Sequence, residues 1–154
     1  MTPAEVPETS CVVWKIRRAA RVLNRLYDDA LAPAGLTAVQ FGTLGTLATM
    51  GPTTLARIAE ATGHERTVAW RGLQLLIRRS LVRRVEGVGR AGRYEVSETG
   101  TEALEVARKH WQAVQDRVLA ALGDEVDGLT GKVAELGGSE QRRWRPPGGR
   151  NGAT

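Results

Sequence analysis

Residues 64–97 read HERTVAWRGLQLLIRRSLVRRVEGVGRAGRYEVS, and the order of residues in this stretch decides the fold. From Glu65 to about Arg79 the apolar residues Ala69, Leu73, Leu76 and Ile77 recur at helical spacing. Arg66, Thr67, Trp70, Arg71 and Gln74 fall on the other side at i, i+3, i+4 intervals. The spacing predicts a helix with an apolar inner face and a basic outer one. Ahead of it, Thr54 caps a short helix that turns Leu55, Ile58 and Ala59 inward, with Gly63 just past its end. Two helices joined by a tight glycine-containing turn form a helix-turn-helix. The runs LVRRV and RYEV then favour strands, and Gly87, Gly89 and Gly92 between them permit a hairpin loop that carries Arg90 and Arg93. A helix-turn-helix followed directly by such a hairpin is a winged helix.

Charge points the same way. The 154-residue chain carries a formal net charge of +5, and it is unevenly spread. Residues 66–93 hold eight arginines against Glu86, residues 1–65 balance, and residues 94–137 are net acidic. Crowded like charges repel one another and destabilise a compact state. A local patch of this density is the footprint expected for phosphate contact. The candidate DNA-binding residues are Arg66, Thr67, Trp70, Arg71, Gln74, Arg84, Arg90 and Arg93. Arg83 and Arg84 are neighbours on one strand and point to opposite faces, so only one of them need meet DNA. Trp70 sits on the polar face, where it either touches a sugar or a thymine methyl or packs beneath the wing.

The flanks are helical. Val12, Ile16, Ala19, Ala20, Leu23, Leu26, Tyr27 and Ala30 mark one face of a long amphipathic helix that LAPAGLT breaks. Thr37 and Gln40 have capping-box spacing, and Phe41, Leu44 and Leu47 form the apolar face of the helix that follows. After the wing, Leu104, Ala107, Trp111, Val114, Val118 and Ala121 repeat like a heptad seam, with Thr99 and Glu102 offering a capping box at its start. Val126, Leu129, Val133 and Leu136 continue that rhythm after LGDE, where Asp124, Glu125 and Asp127 suit a helix N-terminus. These stripes lie outside the winged core, and a second copy of the chain is the simplest partner for them.

The expected fold is therefore mainly α with a small β wing, dimerising through its N- and C-terminal helices. Dimerisation helices are expected at about 11–32 and 98–137, a DNA-binding lobe at about 37–97, a flexible N-terminus at 1–10 and a disordered basic tail at 138–154.

The order of elements over residues 12–137 resembles the MarR family of winged-helix transcriptional regulators. The resemblance is carried by RRAARVLNRLYDDALAPAGLTAVQFGTLGTL (17–47), TLARIAEATG (54–63) and LVRRVEGVGRAGRYEVSETG (81–100). It implies a homodimer on a pseudo-palindromic operator in double-stranded DNA, acting as a repressor released by a small-molecule effector or an oxidant. By position it implies that Arg66, Thr67, Trp70 and Arg71 meet the major groove and Arg90 the minor groove. The family's effector pocket falls near Trp14 and Tyr27, for which plain core packing is the competing assignment. In the family a glycine ends the recognition helix where this chain has Ser80, and a small polar residue is usual where it has Trp70. A branch that senses hydroperoxides carries its cysteine at a position matching Val13 and not Cys11.

Other classes find little in the chain. His64 and His110 have no partner at metal-ligand spacing, so no metal is expected. No catalytic triad, phosphate loop or dinucleotide fingerprint occurs, so neither an enzyme nor a cofactor is expected. The GVGRAG run lies between two strands, as a wing does, and not between a strand and a helix. No apolar run approaches the roughly 20 residues a membrane span needs. MTPAEVPETS lacks the pattern of a secretory signal, and the lone Cys11 fits a reducing cytoplasm, which is the expected location. Two alternatives to the inducible repressor remain: a winged-helix module that binds an acidic protein, and a redox-responsive regulator using Cys11.

Overall fold

A computed structural model describes residues 11–85 and 92–137. The expected flexible N-terminus, basic tail and wing-tip Arg90 lie outside the described residues. Helix α1 (Val12–Leu31) is followed by a 3-10 turn (Ala32–Ala34), α2 (Ala38–Met50), β1 (Thr53–Thr54), α3 (Leu55–Thr62) and α4 (Arg66–Arg78). Strands β2 (Val82–Val85) and β3 (Arg93–Val96) precede α5 (Glu98–Leu122) and α6 (Glu125–Leu136).

Local chemistry sets most of these boundaries. Pro33 cannot continue α1, and Gly35 takes up a left-handed φ of 68° after the turn. Thr37 and Gln40 form the expected capping box: Thr37 Oγ1 accepts the Gln40 N–H at 3.2 Å, and Gln40 Oε1 accepts the Thr37 N–H at 3.1 Å. Asp28 of α1 adds a third bond, accepting the Ala38 N–H at 2.7 Å. Thr54 caps α3 as expected, and Gly63 closes it at a φ of 68°.

Two expectations need correction. The capping box proposed at Thr99 and Glu102 does not form. α5 instead starts after Ser97, whose Oγ accepts the Gly100 N–H at 3.0 Å. The sheet also has three strands, in the order β1-β3-β2 and antiparallel throughout, where only a two-stranded wing was expected.

One core joins the elements. It contains Leu31, Leu36, Leu44, Leu47, Ile58, Leu73, Leu76, Leu81, Val82, Tyr94, Leu104 and Ala107. The seam of α5 is thus only partly a surface for another chain. Leu104 and Ala107 are buried within this chain, and Trp111 stacks on Phe41 of α2 with ring centroids 5.8 Å apart. The contrast lies at the two ends. α1 buries only Leu31, and α6 buries no residue. Val12 and Val13 are 66% and 59% exposed, and Leu129 and Leu136 are 52% and 88% exposed.

The end of α4 has an unusual residue in a common motif. Ser80 N–H bonds Ile77 O and Leu81 N–H bonds Leu76 O, both at 2.9 Å, which is the Schellman arrangement. Its left-handed position is occupied by Ser80 at a φ of 59°, among the described residues the one non-glycine with positive φ. A side chain there costs roughly 1–2 kcal/mol, and part of that is offset because glycine loses more freedom on folding. Ser80→Gly is therefore expected to stabilise the protein by about 0.5–1 kcal/mol. A urea titration should show a higher midpoint at unchanged slope. An unchanged or lower midpoint contradicts the left-handed geometry.

Candidate nucleic-acid interface

Helix α4 has a buried and an open side. Ala69, Leu73 and Leu76 are buried. Arg66, Thr67, Trp70, Arg71 and Gln74 are all exposed, as is Arg78. Successive residues of an α-helix advance by about 100° around its axis. Thr67, Arg71, Gln74 and Arg78, at i, i+4, i+7 and i+11, thus make one outward ridge directly across from the buried face. Arg78 belongs to this ridge although it was absent from the candidates. The signal is present in the sequence as a fourth member of the same periodicity, one that the adjacent Arg79 obscures.

Trp70 leaves the ridge. Its ring meets Tyr94 of β3 edge-on, with centroids 6.4 Å apart and planes at 62°, and the residue remains 36% exposed. Tyr94 is buried at the base of the sheet. Of the two placements considered for Trp70, packing against the wing is the one observed. The indole braces α4 against β3 and keeps one open edge.

Strand pairing separates the two adjacent arginines. Arg83 stands opposite Glu95, and its Nε donates to Glu95 Oε1 at 2.6 Å. Its charge is already answered. Arg84 stands opposite Tyr94, on the strand face that also carries Val82 and Val96, and therefore on the side of α4. Its guanidinium runs beside Gly92, where a Cβ would lie 2.8 Å from Nε. Arg93 is exposed at the start of β3. Among the described residues, Arg83–Glu95 is the one ion pair. Arg66, Arg71, Arg78, Arg84 and Arg93 have no carboxylate partner among the described residues.

The other candidate residues are dispersed. Trp14 is 49% exposed, with the Arg17 guanidinium 5.9 Å from its ring centroid, and it borders a shallow groove with Ala20, Arg21 and Asn24. Tyr27 donates its hydroxyl to Gln115 Oε1 of α5, and burial pushes its phenol above the ordinary tyrosine range. Thirteen helical residues separate the two, about 20 Å along α1. The structure does not bring Trp14 and Tyr27 into one pocket. Cys11, half-buried, occupies the N-cap position of α1 without a side-chain cap bond. Among the described residues no group of three or more His, Cys, Asp or Glu could hold a metal ion. No described helix is long and apolar enough to cross a membrane.

Comparison with known proteins fits this geometry. A family model described as the MarR family matches residues 34–93, from the α1–α2 turn to the first residue of β3. The transcriptional regulator MosR of M. tuberculosis is 35% identical, with 88% of this chain and 98% of that one covered at a TM-score of 0.74. The chain belongs to the MarR family. A second MosR structure, in complex with DNA, is likewise 35% identical and covers 84% of this chain and 100% of that one at a TM-score of 0.72. Mutant MarR C80S of E. coli, complexed with operator DNA, shares the fold at 18% identity and a TM-score of 0.74, covering 86% of this chain and 99% of that one. A search of curated protein sequences found no match. The MarR-family assignment makes the chain a transcriptional regulator.

Proposed function

We propose that this MarR-family chain is a homodimeric repressor that binds a pseudo-palindromic operator in duplex DNA and is released by a small-molecule effector. The observation that carries the reading is the ridge Thr67, Arg71, Gln74 and Arg78 on α4. It is exposed along its length and lies across from a fully buried face. Arg71 and Gln74 at its centre have the donors that read guanine and adenine edges, while Arg66, Arg78, Arg84 and Arg93 around it suit phosphates, and Arg90 keeps the minor-groove role that the family implies. Thr67 suits either. Trp70 fixes the wing and leaves one edge for sugar or methyl contact.

A homodimer accounts for the apolar ends. Val12, Val13 and Ile16 on α1, with Leu119, Val126, Leu129 and Val133 on α5 and α6, are exposed in the single chain. A partner copy packed there removes them from water and spaces two recognition helices by about 34–36 Å, one turn of DNA. An effector that prefers another spacing withdraws protein from the DNA-competent population. The chain acts by binding and not by catalysis, and its place is the cytoplasm, where the DNA is.

The test is a titration of DNA upstream of its own gene, with unrelated duplex as competitor, at two salt concentrations. Competitor-resistant binding is expected, with log K falling by about 0.9 per phosphate contact for each decade of salt. Binding that unrelated duplex removes equally well overturns operator recognition.

A further inference from the structure

We infer that Arg79 is a positioning residue that ties the recognition helix to the corner where α1 passes into α2, and that it does so without touching DNA. The inference rests on the reading of α4 as a DNA-binding helix.

Arg79 is the residue immediately after α4, next to Arg78 of the ridge. The two differ in what they meet. Arg78 points with the ridge, outward. Arg79, about 100° further round the helix, reaches back across 44 residues of sequence, and its Nη1 donates to Gly35 O at 2.6 Å. The same nitrogen lies 3.5 Å from Gln40 Oε1. Both acceptors belong to the corner between α1 and α2. Gln40 is half of the capping box that starts α2, and Asp28 of α1 accepts the first amide of that helix at 2.7 Å.

A chain of bonds therefore runs from α1 through Asp28, the α2 cap and Gly35 to the end of α4. Each link is a hydrogen bond to backbone or to a cap, so each follows the direction of the helix it ends. The end of α4 is otherwise held from the opposite side, by the Schellman turn into β2 and by Ser97 Oγ, which donates to Ser80 O at 2.6 Å. Arg79 supplies the hold on the α1 side. Since the exposed apolar face of α1 is the surface assigned to dimerisation, the guanidinium sets the angle of the recognition helix relative to the dimer frame. Gly35 accommodates it, because a Cβ at that position would lie 3.2 Å from Arg79 Nη2.

The experiment compares Arg79→Ala, Arg79→Gln and Arg78→Ala with the unaltered chain. The probe is a duplex selected by that chain from a randomised library, alongside an unrelated duplex. Affinity is measured over a range of salt, and unfolding midpoints are measured separately. For Arg79→Ala the expected result is specific binding weakened about tenfold, the scale of one charge-assisted hydrogen bond. The salt slope and the affinity for unrelated duplex should stay unchanged, and the unfolding midpoint should fall by no more than about five degrees, the cost of one exposed hydrogen bond. Arg79→Gln should fall between. Arg78→Ala should instead lower the salt slope by about 0.9 and weaken both duplexes alike.

Unchanged specific binding in Arg79→Ala overturns the inference. So does a lowered salt slope, which makes Arg79 a phosphate contact, or a midpoint that drops to the assay temperature, which makes it a stability residue. If the unaltered chain selects no duplex, the regulator reading fails and this inference falls with it.

Discussion

Replacing Gly100 with alanine should cost the protein roughly 3–5 kcal/mol and lower its unfolding midpoint by roughly ten degrees or more. A Cβ built at Gly100 would lie 2.0 Å from Leu81 O, 2.9 Å from Leu81 C and 2.8 Å from Val96 Cγ1. Non-bonded atoms settle at about 3.5–4 Å, and two of the three obstacles are backbone, which no rotamer change removes. The first turn of α5 or the start of β2 has to move by more than an ångström. That movement breaks what joins them: Leu81 O accepts the Ser97 N–H at 3.0 Å, and Ser97 Oγ bonds both Gly100 N and Ser80 O. The loss combines overpacking with broken bonds, a pairing found among the most severe single substitutions. Gly45→Ala in α2 is the control. A Cβ there meets nothing within 4 Å, and alanine in a helix interior gains about 0.5–1 kcal/mol over glycine. If Gly100→Ala unfolds at the same midpoint as the unaltered chain, α5 does not approach Leu81 this closely in solution.

The same junction separates what was legible in the sequence from what was not. Thr37 with Gln40 was readable because a capping box places both of its partners three residues apart. Ser97 was not, because the residue three places on is Gly100, which has no side chain to complete the signature, whereas Thr99 with Glu102 imitated it. Strand β1 has only two residues and exists because β3 is brought beside it, pairing Thr53 with Tyr94. No local pattern could announce that. The helical phase of α4 and the strand runs around the wing were legible from periodicity alone. Which neighbour each side of a helix meets was not. Trp70 and Arg71 are adjacent, yet one packs on Tyr94 and the other faces outward. On α5 a regular 3-4 spacing marked an apolar face without telling Trp111 of that face that it would stack on Phe41 of its own chain. Arg83 and Arg84 could not be ranked until register placed Glu95 opposite the first.

Arg71→Ala should weaken operator binding by roughly tenfold to a hundredfold, equivalent to about 1–3 kcal/mol for one bidentate arginine–base contact. Arg71 lies on the α4 ridge, one turn from Thr67 and one from Gln74, in the N-terminal half of the helix, the part of a recognition helix that meets base edges when the ridge faces DNA. The residue is exposed and takes part in no ion pair among the described residues. Nothing in the fold has to be broken when it is removed, and the unfolding midpoint should stay within a degree or two of the unaltered chain. Arg83→Ala is the natural counterpart, because Glu95 already holds that guanidinium. Its removal should change operator affinity by no more than about threefold, about half the energy of a tenfold change. The two substitutions remove the same charge from the same basic segment. If affinity tracked total charge alone, they would weaken binding equally, and the basic patch would act as an undirected field. A large loss at Arg71 beside a small one at Arg83 means that the geometry of α4, and not the abundance of arginine, makes the interface.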